Sequence, residues 1–442
     1  MKILLLCNKS PWPPREGGPL AMNMLVEGLL EAGHSVKVLA VNSFKYNIDP
    51  LSIPTEYRQR TGIELIDIDL KVKPLGAFLN LFTGRSYHIE RFISATFSER
   101  VRDTLEKDEY DIVQLETLFM SPYIGTIRQF SRAKIVLRAH NIEHLIWKRV
   151  AEETGNPLKR WYLNHLSATL KKYEHSILPE FDGIAAITDT DAGYFREVLS
   201  RQSAVGSRKS EIRNRKSEIE NRNSTRHSSL VIRHSNHSSL KSTITPVIDI
   251  PFGVNPMDYP YSPEQAEWPS LFTIGAMNWI PNQDGVRWFL HNVWLDVTRQ
   301  FPGLKYYLAG REMPGWMKEL KLPNVVVLGE VEDARDFINS KAIMIVPLFS
   351  GSGIRIKIIE GLASGKTIIS TSLGAEGITC SNRENILVAN LPCEFFEMIS
   401  ICVGDRQICD EIGKKGRELI RDQYDRSVIV KKLISFYQQL RD

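Results

Sequence analysis

The stretch that most constrains this chain runs from Ala342 to Ser372. It reads AIMIVPLF, SGSGIRIK, IIEGLASGK and TIISTS in succession. AIMIVPLF is a continuous apolar run, the pattern of a strand buried on both faces of a parallel sheet. Gly351 and Gly353 let the backbone turn sharply and approach a ligand closely. A helix is predicted from near Ile354 to Ser364-Gly365, with a glycine suited to the left-handed cap. TIISTS returns as the next strand. The unit is βαβ, which commits the chain to an α/β fold with a mainly parallel sheet.

A loop placed so, after a strand and before a helix, offers free backbone N–H groups and the positive end of a helix dipole to an anion. Arg355 and Lys357 add two cations in the first turn. Cations there oppose the dipole, and they make sense if a phosphate lies between them and the N–H groups. Glu360 follows one turn after Lys357 on the same helix face. A carboxylate there can accept two hydrogen bonds from a vicinal diol such as a ribose. The combination reads as a cradle for a nucleotide diphosphate. The plain alternative is a surface helix with an ordinary Lys–Glu pair.

SGSGIRIKIIEGLASGKTIISTSLGAEGI resembles the donor-site motif of the family-four (group 1) retaining glycosyltransferases, which have the GT-B fold. Their pattern is a Glu, seven residues, and a second Glu. Glu360 matches the second, which in the family holds the nucleotide ribose. The first falls on Ser352, a departure from the pattern, and Arg355 and Lys357 resemble a variant found in polysaccharide-building members. The resemblance implies two Rossmann-like domains facing each other across a cleft.

Composition sets few limits beyond these. The 442 residues suffice for two or three domains. No apolar run approaches the ~20 residues that span a bilayer, and MKILLLC is too short for a signal peptide. Five scattered cysteines without a CxxC pair fit a reducing cytoplasm. Net charge is +4, but outside residues 201–245 there are 46 Lys and Arg against 49 Asp and Glu, a net of −3. No nucleic-acid partner is expected from such a balance.

The first half opens with strand KILLLCN, Gly17-Gly18, helix PLAMNMLVEGLLEAGH and strand VKVLAV, a Rossmann-like start without GxGxxG. The resemblance assigns Gly17 and Gly18 to the loop facing the interdomain cleft. KVKPLGAFLNLFTGRSYHIERF interleaves Lys71, Lys73, Arg85 and Arg91 with Leu75, Phe78, Leu79 and Phe82, a texture that can dock on an anionic membrane surface or form a solvated domain edge. YDIVQLE and KIVLRAHN are strands whose carboxyl ends carry Glu116 and His140-Asn141, where ligands bind in open α/β sheets. His140 resembles the histidine that relatives place near the transferred sugar. Glu143 and His144 read as structural.

Residues 201–245 repeat RKSEIRN as RKSEIEN and are poor in hydrophobes; they read as a disordered insertion. VIDIPFGV then resembles the family's interdomain crossing. LFTIGAMNWIPNQ gives strand, loop and helix. Where relatives often have Gly-Arg and a nearby Lys gripping the diphosphate, this chain has Gly275, Ala276, Met277 and Asn278, so Arg355 and Lys357 are expected to supply the charge. Arg311, after KYYLAG, is a third candidate cation, and the resemblance puts the nucleotide base near Val331.

The expected organisation is an N-terminal acceptor-side domain over 1–200, the insertion over 201–245, a nucleotide-sugar domain over 246–424, and a helix over 425–442 crossing back to the first domain. The expected function is transfer of a sugar, a hexose by resemblance, from a nucleotide-diphosphate donor to a hydroxyl of a glycan or lipid-linked acceptor. Retention of configuration, no metal and no cofactor beyond the donor are implied by the resemblance. His140 and Glu360 are the expected catalytic-centre residues; Gly17, Gly18, Asn278, Arg311, Val331, Ser352, Gly353, Arg355 and Lys357 are the expected donor-binding set. The expected location is cytoplasmic, with peripheral contact at the inner membrane face. A GT-B protein that binds without turnover, and a nucleotide-sugar epimerase, are the rival readings.

Overall fold

Apolar runs too long to be half-exposed strands predict parallel sheets with helices on both faces, and the computed structural model contains two of them. It describes residues 1–14, 17–204, 244–351 and 353–442. The first sheet has seven strands: β1 (Lys2–Cys7), β2 (Ser35–Asn42), β3 (Glu64–Asp67), β4 (Ile112–Glu116), β5 (Lys134–Ala139), β6 (Gly183–Ala186) and β7 (Val247–Asp249). Their order is β3-β2-β1-β4-β5-β6-β7. The second has six: β8 (Glu267–Ile274), β9 (Lys305–Ala309), β10 (Val325–Gly329), β11 (Lys341–Val346), β12 (Thr367–Ser370) and β13 (Leu387–Val388), ordered β10-β9-β8-β11-β12-β13. Every pairing is parallel. In each sheet the first strand sits inside and the order reverses beside it, the switch point at which such sheets bind ligands.

Two corrections follow for the boundaries read from sequence. Val247–Asp249 pairs with β6, so the strand after residue 246 completes the first sheet, and the crossing to the second lobe comes after it. Three residues that lack a strong alternation gain their place only from this edge pairing. Residues 201–204 continue the helix that begins at 189, and the rest of the expected insertion up to residue 243 lies outside the described residues.

The C-terminal helix Arg426–Arg441 lies against the first lobe. A side chain on Gly28, in helix Gly17–Glu31, would meet Val430 and Arg426, so a glycine there lets the two helices approach closely. Phe436 and Leu440 cover Gly183 of β6 in the same way. Arg441 pairs with Asp111 at 2.9 Å and Lys432 with Asp249 at 2.8 Å. Val254 N and Arg426 N exchange backbone hydrogen bonds with Tyr424 O and Val254 O. The chain thus crosses between the lobes twice at one place.

Candidate active site

The helix after β11 spans Ile356–Ala363, with Arg355 at its N-cap and Gly365 left-handed at φ +67° past its end. Gly351 and Gly353 have φ +108° and +80°. A side chain at Gly351 would reach 2.7 Å from the Trp279 ring, and one at Gly353 3.1 Å from Asn141 Oδ1 of the other lobe. Both backbone angle and space therefore require glycine here. The contact at Gly353 also shows that the loop faces the carboxyl end of β5. Arg149, on helix Glu143–Glu153, donates from Nη1 to Gly351 O at 3.2 Å across the same gap.

A cleft of about 2040 Å³ opens between the lobes. Lys357 and Glu360 line it, one turn apart, with Gly275, Arg311, Val331 and Arg335 on the same lobe and Leu20 and Asn23 on the other. Lys357 Nζ donates to Asn282 Oδ1 at 2.7 Å. Burial, and then the neighbouring Arg355 charge, push the Lys357 ammonium down to about 7. Glu360 Oε1 accepts from Tyr259 Oη at 3.1 Å. Burial raises the Glu360 carboxyl, against the Tyr259 bond and Arg335. A half-buried ammonium held partly neutral and a half-buried carboxylate one turn away are poorly compensated in the free protein, the condition expected where a charged ligand completes the site.

A second, smaller cavity of about 490 Å³ adjoins the glycine loop. Asn141, Arg149, Thr188 and Asp191 reach it from the first lobe, Gly353 and Glu376 from the second.

The expected residues are not all brought together. Lys357, Glu360, Arg311 and Val331 share the large cleft, and Gly353 borders the smaller cavity. Arg355 lines neither. It is buried, folds back to donate to Gly353 O, and lies over the Trp279 ring at 5.5 Å. Its cation braces the loop from within, so Lys357 alone of the pair faces the cleft. Asn278 is exposed and outside both cavities, whereas Asn282, in the first turn of the next helix, meets Lys357. Gly17 and Gly18 open a helix rather than a loop, and Gly17 meets Ile356 of the second lobe. His140 Nε2 is 2.6 Å from Glu116 Oε2. Ser352 lies outside the described residues. Glu143 and His144 are buried; Glu174 accepts from Glu143 N at 3.0 Å and binds the His144 ring. Tyr259, Asn282 and Glu376 were missed, since each comes from a separate element with no local motif.

Residues 269–405 match the family described as glycosyl transferases group 1. That stretch holds the whole glycine loop, Lys357 and Glu360. Over that stretch the chain is similar to the group 1 glycosyltransferases. Over 433 residues the chain is 21% identical to a 44.6 kDa protein in the cps region of Klebsiella pneumoniae, covering 96% of each. Among solved structures, sucrose-phosphate synthase from Thermosynechococcus elongatus superposes with a TM-score of 0.65 at 16% identity, covering 100% of this chain and 99% of that one. HepE of Anabaena in complex with UDP-glucose superposes with a TM-score of 0.60 at 14% identity, covering 99% and 100%. At these identities the likeness is one of fold, the two-lobed GT-B arrangement. Among the described residues no helix is long and apolar enough to cross a membrane.

Proposed function

We propose that this protein transfers a hexose from a nucleotide-diphosphate sugar to a hydroxyl of a glycan or lipid-linked acceptor, with retention of configuration. The observation that carries the reading is the pairing of Lys357 and Glu360 one turn apart in the interlobe cleft, behind a left-handed glycine loop at a helix N-terminus. The loop N–H groups and Lys357 meet the diphosphate and the charge that develops on it as the sugar leaves. Glu360 accepts from the ribose diol, displacing the Tyr259 hydroxyl. Val331 lies against the base. The smaller cavity, with Asn141, Asp191 and Glu376, receives sugar hydroxyls. The leaving charge is met by protein cations, so the reaction needs neither metal nor a further cofactor.

The HepE structures are complexes with UDP and UDP-glucose, which supports a uridine nucleotide sugar as donor. The Klebsiella relative in a cps region supports a polysaccharide or its lipid-linked precursor as acceptor, reached from the cytoplasmic side. Val72, Phe78, Leu79 and Phe82 are more than half exposed beside Lys71, Lys73 and Arg85, and this edge supports peripheral contact with an anionic membrane.

A thermal-shift panel of nucleotide sugars, followed by transfer assays with lipid-linked acceptors, tests the reading. Stabilisation by one nucleotide sugar and turnover with acceptor are expected. Stabilisation without any turnover would leave a binding protein, release of an isomerised donor an epimerase, and no stabilisation at all would defeat the reading.

A further inference from the structure

A chain of buried polar side chains runs from the C-terminal helix to His140. Gln114 and Glu116 are alternate residues of β4 and point to one face of the sheet. Neither exposes any surface. Tyr437, on the helix Arg426–Arg441, donates from Oη to Gln114 Oε1. Gln114 Nε2 donates to Glu116 Oε1 at 2.5 Å. The other carboxylate oxygen, Oε2, is 2.6 Å from His140 Nε2. Arg138, the register partner of Glu116 on β5, is fully buried too. Among the described residues its guanidinium nitrogens make no hydrogen bond, and Glu116 is the carboxylate whose charge acts on it.

Packing alone does not call for this arrangement. Five polar groups, with Glu116 and Arg138 charged, replace what an apolar cluster would fill at lower desolvation cost. Their chemistry has a direction, however. One carboxylate oxygen is occupied by an amide N–H, and a buried guanidinium without a closer partner favours the ionised carboxylate. The proton between Glu116 and His140 then belongs to the imidazole. With Nε2 protonated, Nδ1 keeps its lone pair. His140 stands at the carboxyl end of β5, next to Asn141, whose side chain meets Gly353.

We propose that Glu116 is a positioning residue: it holds His140 as the Nε2–H tautomer beside the glycine loop, leaving Nδ1 to accept a hydrogen bond from a ligand hydroxyl. Gln114 and Tyr437 brace the carboxylate from the helix that crosses between the lobes. The ligand hydroxyl rests on the sugar-transfer reading; the tautomer does not.

Long-range 1H–15N correlation on the full chain with 15N-histidine, at pH 8 and with His140 assigned by loss of its signals in His140→Asn, reads the tautomer directly. A pyrrole-type Nε2 and a pyridine-type Nδ1 are expected; the reverse pattern overturns the proposal whether or not any variant folds. In Glu116→Gln, with folding checked by circular dichroism, kcat for transfer is expected to fall about tenfold, the difference between an ionised and a neutral acceptor. KM for the donor is expected to stay put, because Glu116 touches no donor group. Unchanged kcat, or a rise in KM alone, overturns the positioning role. If the chain binds no nucleotide sugar, the transfer reading fails and the tautomer still decides what Glu116 does.

Discussion

Donor affinity should fall with rising pH because of Lys357. Its ammonium is pushed down to about 7 in the free protein, and a diphosphate placed against it reverses that shift. Binding therefore takes up a proton wherever the pH lies above the free value. Affinity is at its full value below pH 7 and is lost as pH rises, until the pH passes the value in the complex. The protonated fraction drops from about nine-tenths at pH 6 to about one-tenth at pH 8, so Kd should rise about tenfold, or ~1.4 kcal/mol. The ligand should be an intact nucleotide sugar, because a terminal phosphate monoester titrates near pH 6 on its own account. Titration calorimetry at both pH values, in two buffers of different ionisation heat, gives Kd and the protons taken up. The raised carboxyl of Glu360 would tilt the profile the other way, and Glu360→Gln removes that contribution. Lys357→Met should bind weakly with a flat profile. A wild-type affinity that does not change between pH 6 and 8, without proton uptake, would refute the contact between Lys357 and the diphosphate.

Other substitutions probe the rest of the site. Glu360→Gln should weaken donor binding by roughly 10- to 100-fold, since a charge-assisted pair of hydrogen bonds contributes about 1.5–3 kcal/mol, while the melting temperature holds; equal donor affinity in that variant would remove Glu360 from the ribose. Gly353→Ala must fit a side chain at φ +80° and 3.1 Å from Asn141 Oδ1, so transfer should drop at least tenfold at a strain of about 1–3 kcal/mol. The variant should keep its fold by circular dichroism, and full activity would mean the loop does not close on β5. Transfer should survive EDTA; a loss restored by magnesium or manganese would show that protein cations do not suffice.

The βαβ unit at 342–372 was legible because its determinants are local. A buried strand must be apolar throughout, a left-handed turn must be glycine, and a helix face repeats every three or four residues. Lys357 and Glu360 could be paired for the same reason. Arg355 could not be separated from Lys357 by spacing: its inward fold depends on Trp279, a residue 76 positions earlier in the chain. Asn282 rather than Asn278 meets the ammonium because the turn between them decides which asparagine points inward.

Periodicity and glycine placement thus determined on their own that this is a parallel α/β chain with a glycine turn leading into a helix. They say nothing about which strands become neighbours, so the orders β3-β2-β1-β4-β5-β6-β7 and β10-β9-β8-β11-β12-β13 belong to the tertiary structure alone. The same holds for the contacts that join Asn141 to Gly353, Tyr259 to Glu360 and Tyr437 to Gln114. Each links residues about a hundred or more positions apart, where no local rule operates and only the packing of one lobe or helix against another selects the partner.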